Sequence, residues 1–168
     1  PEPKYDERAK ILNNLGNLFR TDYAKAKPLY EESLSLRIRY VKDSVALTNA
    51  YNNLGAFYYN FGNYSNAKSY YAKALQYSAG NSVSRNQLIY NYSILLNEFY
   101  EFERSKQVLR AALRDSDPAH VTSIRLRLRL VECEMLLGRI ETANAELAIV
   151  RKALENYPHD DPLWVEYY

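Results

Sequence analysis

Apolar side chains recur along this chain every three to four residues, in paired stretches separated by a short turn. That is the pattern of amphipathic helices joined as hairpins. It is clearest between Tyr51 and Leu75. Tyr51, Leu54 and Tyr58 share one helical face, Ala67, Tyr71, Ala74 and Leu75 share another, and a turn at Gly62 divides them. No apolar run approaches the roughly 18 residues that a membrane-spanning helix needs.

The pattern repeats. "LNNLGNLFRTDYAKAKPLYEESL" (Leu12–Leu34) and "YNNLGAFYYNFGNYSNAKSYYAKAL" (Tyr51–Leu75) align nearly throughout, the first being two residues shorter at its central turn. Ala26 and Ala67 lie 41 residues apart, as do Tyr30 and Tyr71. A weaker third copy, Ile89–Leu113, carries Phe102, Ser105, Leu109 and Ala112, and a fourth, Arg127–Val150, carries Gly138, Ile140, Ala143 and Leu147. A fixed period of about 40 predicts an all-α solenoid of helix–turn–helix repeats, each burying its apolar face against its neighbours. We expect one domain over 1–168 with repeats at 7–40, 45–79, 84–117 and 121–156. "DPLWVEYY" is expected to start a capping or next-repeat helix over 160–168, with Trp164 covering the last repeat. Because the chain starts at Pro1 and stops inside that helix, we expect a piece of a longer protein.

Glycine and small residues refine the picture. Gly62 and Gly138 fall where a helix ends in a left-handed residue. Gly16 and Gly55 fall inside the first helix of their copies, where glycine costs about 1 kcal/mol against alanine. Close approach of the partner helix is the expected reason. Ala26, Ala67, Ser105 and Ala143 are the matching small residues of the second helices.

Two segments oppose the reading locally. "SIRLRLRL" (Ser123–Leu130) alternates like a strand, but as a helix it forms two apolar stripes, Ile124/Leu128/Val131 and Leu126/Leu130/Cys133. A helix between two others needs both, and the repeat register selects helix. Pro28 lies inside a predicted second helix, where its missing N–H predicts at most a bend near the start.

These residues resemble the tetratricopeptide repeat family over roughly Glu7–Asn156. The long period, the "NNLG" opening and the "AKPLYEESL" second helix look most like the kinesin-light-chain type of repeat. The third copy departs from the pattern, with Ser93 and Tyr100 in place of both expected glycines. The resemblance implies helical hairpins in a right-handed superhelix whose first helices line a concave groove. It implies a non-catalytic module that binds a protein or peptide partner.

Composition narrows the chemistry. The net charge is +2 and the 22 basic residues are nearly balanced by 20 acidic ones, which argues against a general nucleic-acid binder, and no membrane partner is expected. One cysteine, Cys133, allows neither an internal disulfide nor a cysteine zinc cluster. The single cysteine and missing leader suggest the cytoplasm. No phosphate loop, nucleophile elbow or His–x–x–x–His pair is present. Ser82 and Ser84 have no activating histidine nearby, and His120 and His159 lie far apart in sequence. No enzyme activity, cofactor or metal is expected.

The resemblance places Asn13, Asn14 and Asn17 in the groove from the first copy, and Asn52, Asn53 and Tyr59 from the second. Gln87, Tyr90 and Asn91 follow from the third, and Arg125 and Arg129 from the fourth. Asn14, Asn53 and Asn91 share one repeat position, and Arg129 takes it in the fourth copy. An amide offers a donor and an acceptor together, matching a peptide group that must satisfy both on leaving water. A column of amides is therefore expected to hold an extended backbone. The alternative is that these amides are solvated or bond adjacent helices. Tyr59 and Tyr90 are expected to stack on ligand side chains.

Charge placement extends the reading. Ser44–Asn97 contains no acidic residue, whereas Arg104–Arg129 holds seven basic ones against Asp115 and Asp117. Arg125 and Arg129, one turn apart, suit a carboxylate or phosphate group, or else pair partly with Glu132. Against the family's carboxylate clamp, Asn91, Arg125 and Arg129 match three positions, while Asn52 and Ala56 replace the expected lysine and asparagine. Two alternative functions remain. One is a structural or oligomerisation scaffold, or the sensor region of a larger regulator. The other is RNA binding through the Arg-rich copy, against which the neutral middle weighs.

Overall fold

The computed structural model describes residues 3–78, 83–114, 116–158 and 161–167. Among these every regular element is helical: α1 (Pro3–Leu18), α2 (Tyr23–Leu36), a π-helical turn (Arg37–Val41), α3 (Ser44–Asn60), α4 (Tyr64–Tyr77), α5 (Val83–Glu98), α6 (Phe102–Leu113), α7 (Val121–Leu136), α8 (Ile140–Leu154) and α9 (Pro162–Tyr167). The chain packs as two compact units, Pro1–Leu88 and Ile89–Tyr168.

In the first unit α1 packs on α2, and α3 on α4 and α2. Asp22 and Asp43 cap α2 and α3, accepting from the Lys25 N–H at 3.1 Å and the Ala46 N–H at 2.7 Å. Each satisfies one of the donors a helix start leaves open. The expected close approach is present. A Cβ on Gly16 would lie 2.7 Å from the Tyr30 ring, and one on Gly55 2.5 Å from the Tyr71 ring. The Ser33 hydroxyl ties α2 to α1 by donating to the Ala9 carbonyl at 2.7 Å. Between hairpins the contact is aromatic, with the Tyr23 and Tyr30 rings 5.3 and 5.5 Å from that of Phe57.

Turns built alike close α3, α5 and α7. The Asn63 N–H reaches the Tyr58 carbonyl at 2.8 Å, the Glu101 N–H that of Leu96 at 2.9 Å, and the Arg139 N–H that of Glu134 at 2.8 Å. Each is the long bond of a Schellman cap, which needs a left-handed residue just before its donor. Gly62 (φ +70°), Tyr100 (φ +59°) and Gly138 (φ +72°) supply it. The third copy thus keeps the turn without its glycine.

Pro28 does not break α2. Its missing N–H frees the carbonyl of Ala24, an exposed residue, so water can replace the lost bond. The sequence pattern did not anticipate the π-helical turn that prolongs α2, closed by the Lys42 N–H on the Arg37 carbonyl at 2.8 Å.

In the second unit α7 packs against α6, α8 and α9. "SIRLRLRL" is helical, as the register required. Ile124, Leu126 and Leu130 are buried on two sides of α7, and Leu163 and Trp164 of α9 close the core formed with Ile124, Val150 and Leu154. This is the covering role expected of Trp164.

Candidate functional site

In the first unit, α1 carries Asn13, Asn14 and Asn17 along one side, and α3 carries Asn52, Asn53 and Tyr59. The unit brings two of these together across neighbouring helices. The Asn53 amide donates to the Asn13 carbonyl oxygen at 2.8 Å. That bond leaves the Asn53 carbonyl oxygen and the Asn13 amide donors without a protein partner among the described residues. Exchanging O and N in both side chains would give the same result, one acceptor and one donor group left open. The other amides differ in use. Asn14 is exposed, and Asn52 is 6% exposed and turned inward. Asn17 accepts from the Tyr30 hydroxyl at 2.8 Å and so braces α1 on α2. Tyr59 is half-buried, its ring 5.6 Å from that of Tyr64.

In the second unit, Tyr90 of α5, Arg125, Arg129, Glu132 and Met135 of α7, and Glu166 of α9 line an open hollow of about 560 Å³. The two arginines predicted to act together share this hollow, but each already has an acid of its own chain. Arg125 grips Glu166 with two nitrogens, Nη2 to Oε1 at 2.8 Å and Nε at 3.1 and 3.2 Å. The carboxylate keeps the guanidinium even more firmly protonated than usual, against a smaller opposing effect of burial. Arg129 pairs with Glu132 and stands 6.0 Å from the Tyr90 ring centre, within cation–π reach. Its Nε is buried with no hydrogen-bond partner. Exposed Met135 adds apolar surface to the rim. Asn91 is half-buried and Gln87 exposed on α5.

Two features escaped the sequence reading. Glu166 lies 41 positions from Arg125, beyond any local pairing rule. Glu134, fully buried, meets Arg110 Nη2 at 2.7 Å, with Lys106 and Arg139 each at 3.8 Å. The repeat register held the clue, because Glu134 takes the place of Tyr58 in α3. Cys133 is buried, with its Sγ 3.3 Å from both Ser105 Oγ and Asn97 Oδ1, to one of which its single S–H donates. Burial is the larger influence and pushes its thiol pKa up, away from reactive thiolate chemistry.

Ser82, Asp115 and His159 lie outside the described residues. Among the described residues no three His, Cys, Asp or Glu side chains are grouped for a metal ion, and no helix is long and apolar enough to cross a membrane.

Antiparallel helix pairs with a glycine–tyrosine close approach and Schellman turns define a helical-repeat protein. Residues 7–80 match the family model described as "Tetratricopeptide repeat". The fold of the chain is shared by BtubC (BKLC) from P. vanneervenii, with a TM-score of 0.75 and 19% identity, over 92% of this chain and 66% of that one. It is also shared by YrrB, described as a TPR protein with an unusual peptide-binding site. There the TM-score is 0.64 at 23% identity, over 99% of this chain and 76% of that one. No curated protein sequence matches the chain. The tetratricopeptide repeats support a protein–protein interaction module.

Proposed function

We propose that this module holds an extended segment of a protein partner, with a backbone-gripping face on α1 and α3 of the first unit and an acid-binding hollow in the second. The observation that carries the reading is the Asn13–Asn53 pair. It presents one open acceptor and one open donor side by side, the complement of a single peptide group. Asn14 adds a further amide on α1, Asn91 holds the same repeat position in the second unit, and Tyr59 and Tyr90 offer rings to ligand side chains. In the second unit the hollow beside Arg125 and Arg129 takes an acidic group, which the two guanidinium groups lining it hold. That YrrB is a peptide-binding protein of the same fold supports the class of ligand. The kinesin-light-chain type of repeat and a cytoplasmic setting complete the reading.

The test is selection from a displayed library of random peptides, comparing the wild-type chain with Asn53→Asp and with Arg129→Gln. Asn53→Asp replaces an amide by a charge that has no donor. Wild type is expected to enrich extended sequences carrying Asp or Glu. Asn53→Asp should lose enrichment altogether, and Arg129→Gln should lose only the acidic preference. Equal enrichment by all three chains would remove the amide pair and the arginine from the site.

A further inference from the structure

The outer face of α1 is a stacking face that no described helix covers. The two "NNLG" segments place α1 and α3 in register at an offset of 39 residues, so Ile11, Leu15, Leu18 and Phe19 occupy the positions of Ala50, Leu54, Phe57 and Tyr58. In α3 those four are at most 4% exposed, covered on one side by α2. In α1 the same positions are 60, 37, 71 and 36% exposed. Ile11, Leu15 and Leu18 follow the i, i+4, i+7 spacing of a helix–helix seam, and no described helix covers them.

We propose that this face binds a second copy of the chain, α1 against α1 in antiparallel fashion about a two-fold axis. Charge singles out this occupant. Glu7 lies before the apolar stripe and Arg20 lies just after it, and neither has an ion-pair partner among the described residues. If Ile11 of one copy faces Leu15 of the other, Glu7 falls opposite Phe19 and beside Arg20. The two-fold repeats the contact, so two ion pairs flank an apolar seam. A C2 interface requires such self-complementarity, each residue meeting its counterpart twice. Arg8 stays with Glu32 of its own copy, 2.5 Å away, and does not obstruct the seam. The groove faces of α1 and α3 stay open, so the dimer joins two binding modules and does not block them.

The experiment is sedimentation equilibrium across a concentration series into the millimolar range. Wild type is expected to move from monomer to dimer mass. Leu18→Glu, at a position 71% exposed, should keep the wild-type circular dichroism and remain monomeric. Glu7→Arg and Arg20→Glu alone should each weaken association about 3- to 10-fold, the range of two exposed ion pairs. The double variant Glu7→Arg/Arg20→Glu, which restores opposite charges across the two-fold, should recover wild-type association. A wild-type chain that stays monomeric throughout, a dimer that survives Leu18→Glu, or a double variant no better than the singles would each overturn the proposal.

Discussion

Gly55 and Tyr71 lock α3 to α4. The Tyr71 ring lies where a side chain on Gly55 would begin, with only 2.5 Å to a built Cβ. Tyr71 is 1% exposed and has no room to withdraw. Gly55→Ala gains about 1 kcal/mol of helix propensity, but overpacking a filled site costs about 1–3 kcal/mol, and here the obstacle is a buried ring. We expect a net loss of about 1–2 kcal/mol for Gly55→Ala, read as a lower urea midpoint at unchanged m-value. Gly62→Ala should also destabilise, by about 1 kcal/mol. It meets no atom within 4 Å, so its cost comes only from the left-handed backbone.

Tyr100 holds the same left-handed turn position with a side chain that is 83% exposed. Among the described residues its one ring contact is edge-on to Phe102 at 5.8 Å. A non-glycine residue in this region costs about 1–2 kcal/mol, partly offset because glycine makes the unfolded chain more flexible. Tyr100→Gly should therefore stabilise the chain by up to about 1 kcal/mol in a denaturant titration. A loss of stability would mean that the contact with Phe102 outweighs the backbone strain.

These turns show what could be read before the structure. Gly16 and Gly55 sit where a tyrosine ring leaves no room for a side chain, and Gly62 and Gly138 where the backbone is left-handed, so their repeat positions carried the hairpin architecture directly. The helical state of "SIRLRLRL" followed from the same register, against its local alternation. The site was less legible. Amides at 13, 14, 17, 52 and 53 look alike in sequence, but their uses depend on which neighbour lies within about 3 Å. Asn17 serves Tyr30, Asn52 turns inward, and Asn13 and Asn53 find each other. Arg125 was legible as a carboxylate grip, but the acid it holds comes from another helix.

Glu134 is the hub of the α6–α7 contact. It is fully buried, with Arg110 at 2.7 Å and Lys106 and Arg139 at 3.8 Å. Removing one partner of a buried pair typically costs about 3–5 kcal/mol, because the remaining charge is stranded. Here Arg110 and Arg139 are half exposed, and Lys106 keeps Glu103 at 2.9 Å, so the stranded charge is partly relieved. We expect Glu134→Ala to cost about 2–3 kcal/mol by chemical denaturation, and Glu134→Gln less, since it retains an acceptor for Arg110.

The buried tyrosines should make the fold sensitive to alkali. Burial, reinforced by Tyr70 and Glu31, pushes the Tyr58 phenol up from 10.0 to about 12, and burial raises Tyr30, Tyr51, Tyr70 and Tyr71 as well. A raised folded-state pKa means that the fold prefers the protonated phenol. That contribution is complete below about pH 10 and is lost as pH rises toward about 12. Stability should fall through this window, with tyrosinate absorbance rising as the chain unfolds. Tyr58→Phe removes one such proton and should flatten the fall, even if it changes stability at neutral pH.

On the proposed reading of the hollow, the Arg125–Glu166 pair should bear on ligand affinity. Glu166 occupies the guanidinium that an acidic ligand group would seek, so it competes with that group from within the chain. The side chains are 44 and 35% exposed, and pairs at such exposure contribute about 0–1 kcal/mol. Losing this one should barely move the melting transition, because Leu163 and Trp164, not the ion pair, hold α9. Glu166→Gln should therefore leave thermal stability nearly unchanged and tighten binding of an acidic peptide by up to about 5-fold, measured by fluorescence anisotropy on a library-selected sequence. Its effect on a matched peptide with Gln in place of the acid should be nil. Equal tightening for both peptides would show that Glu166 acts through α9 packing and not through Arg125.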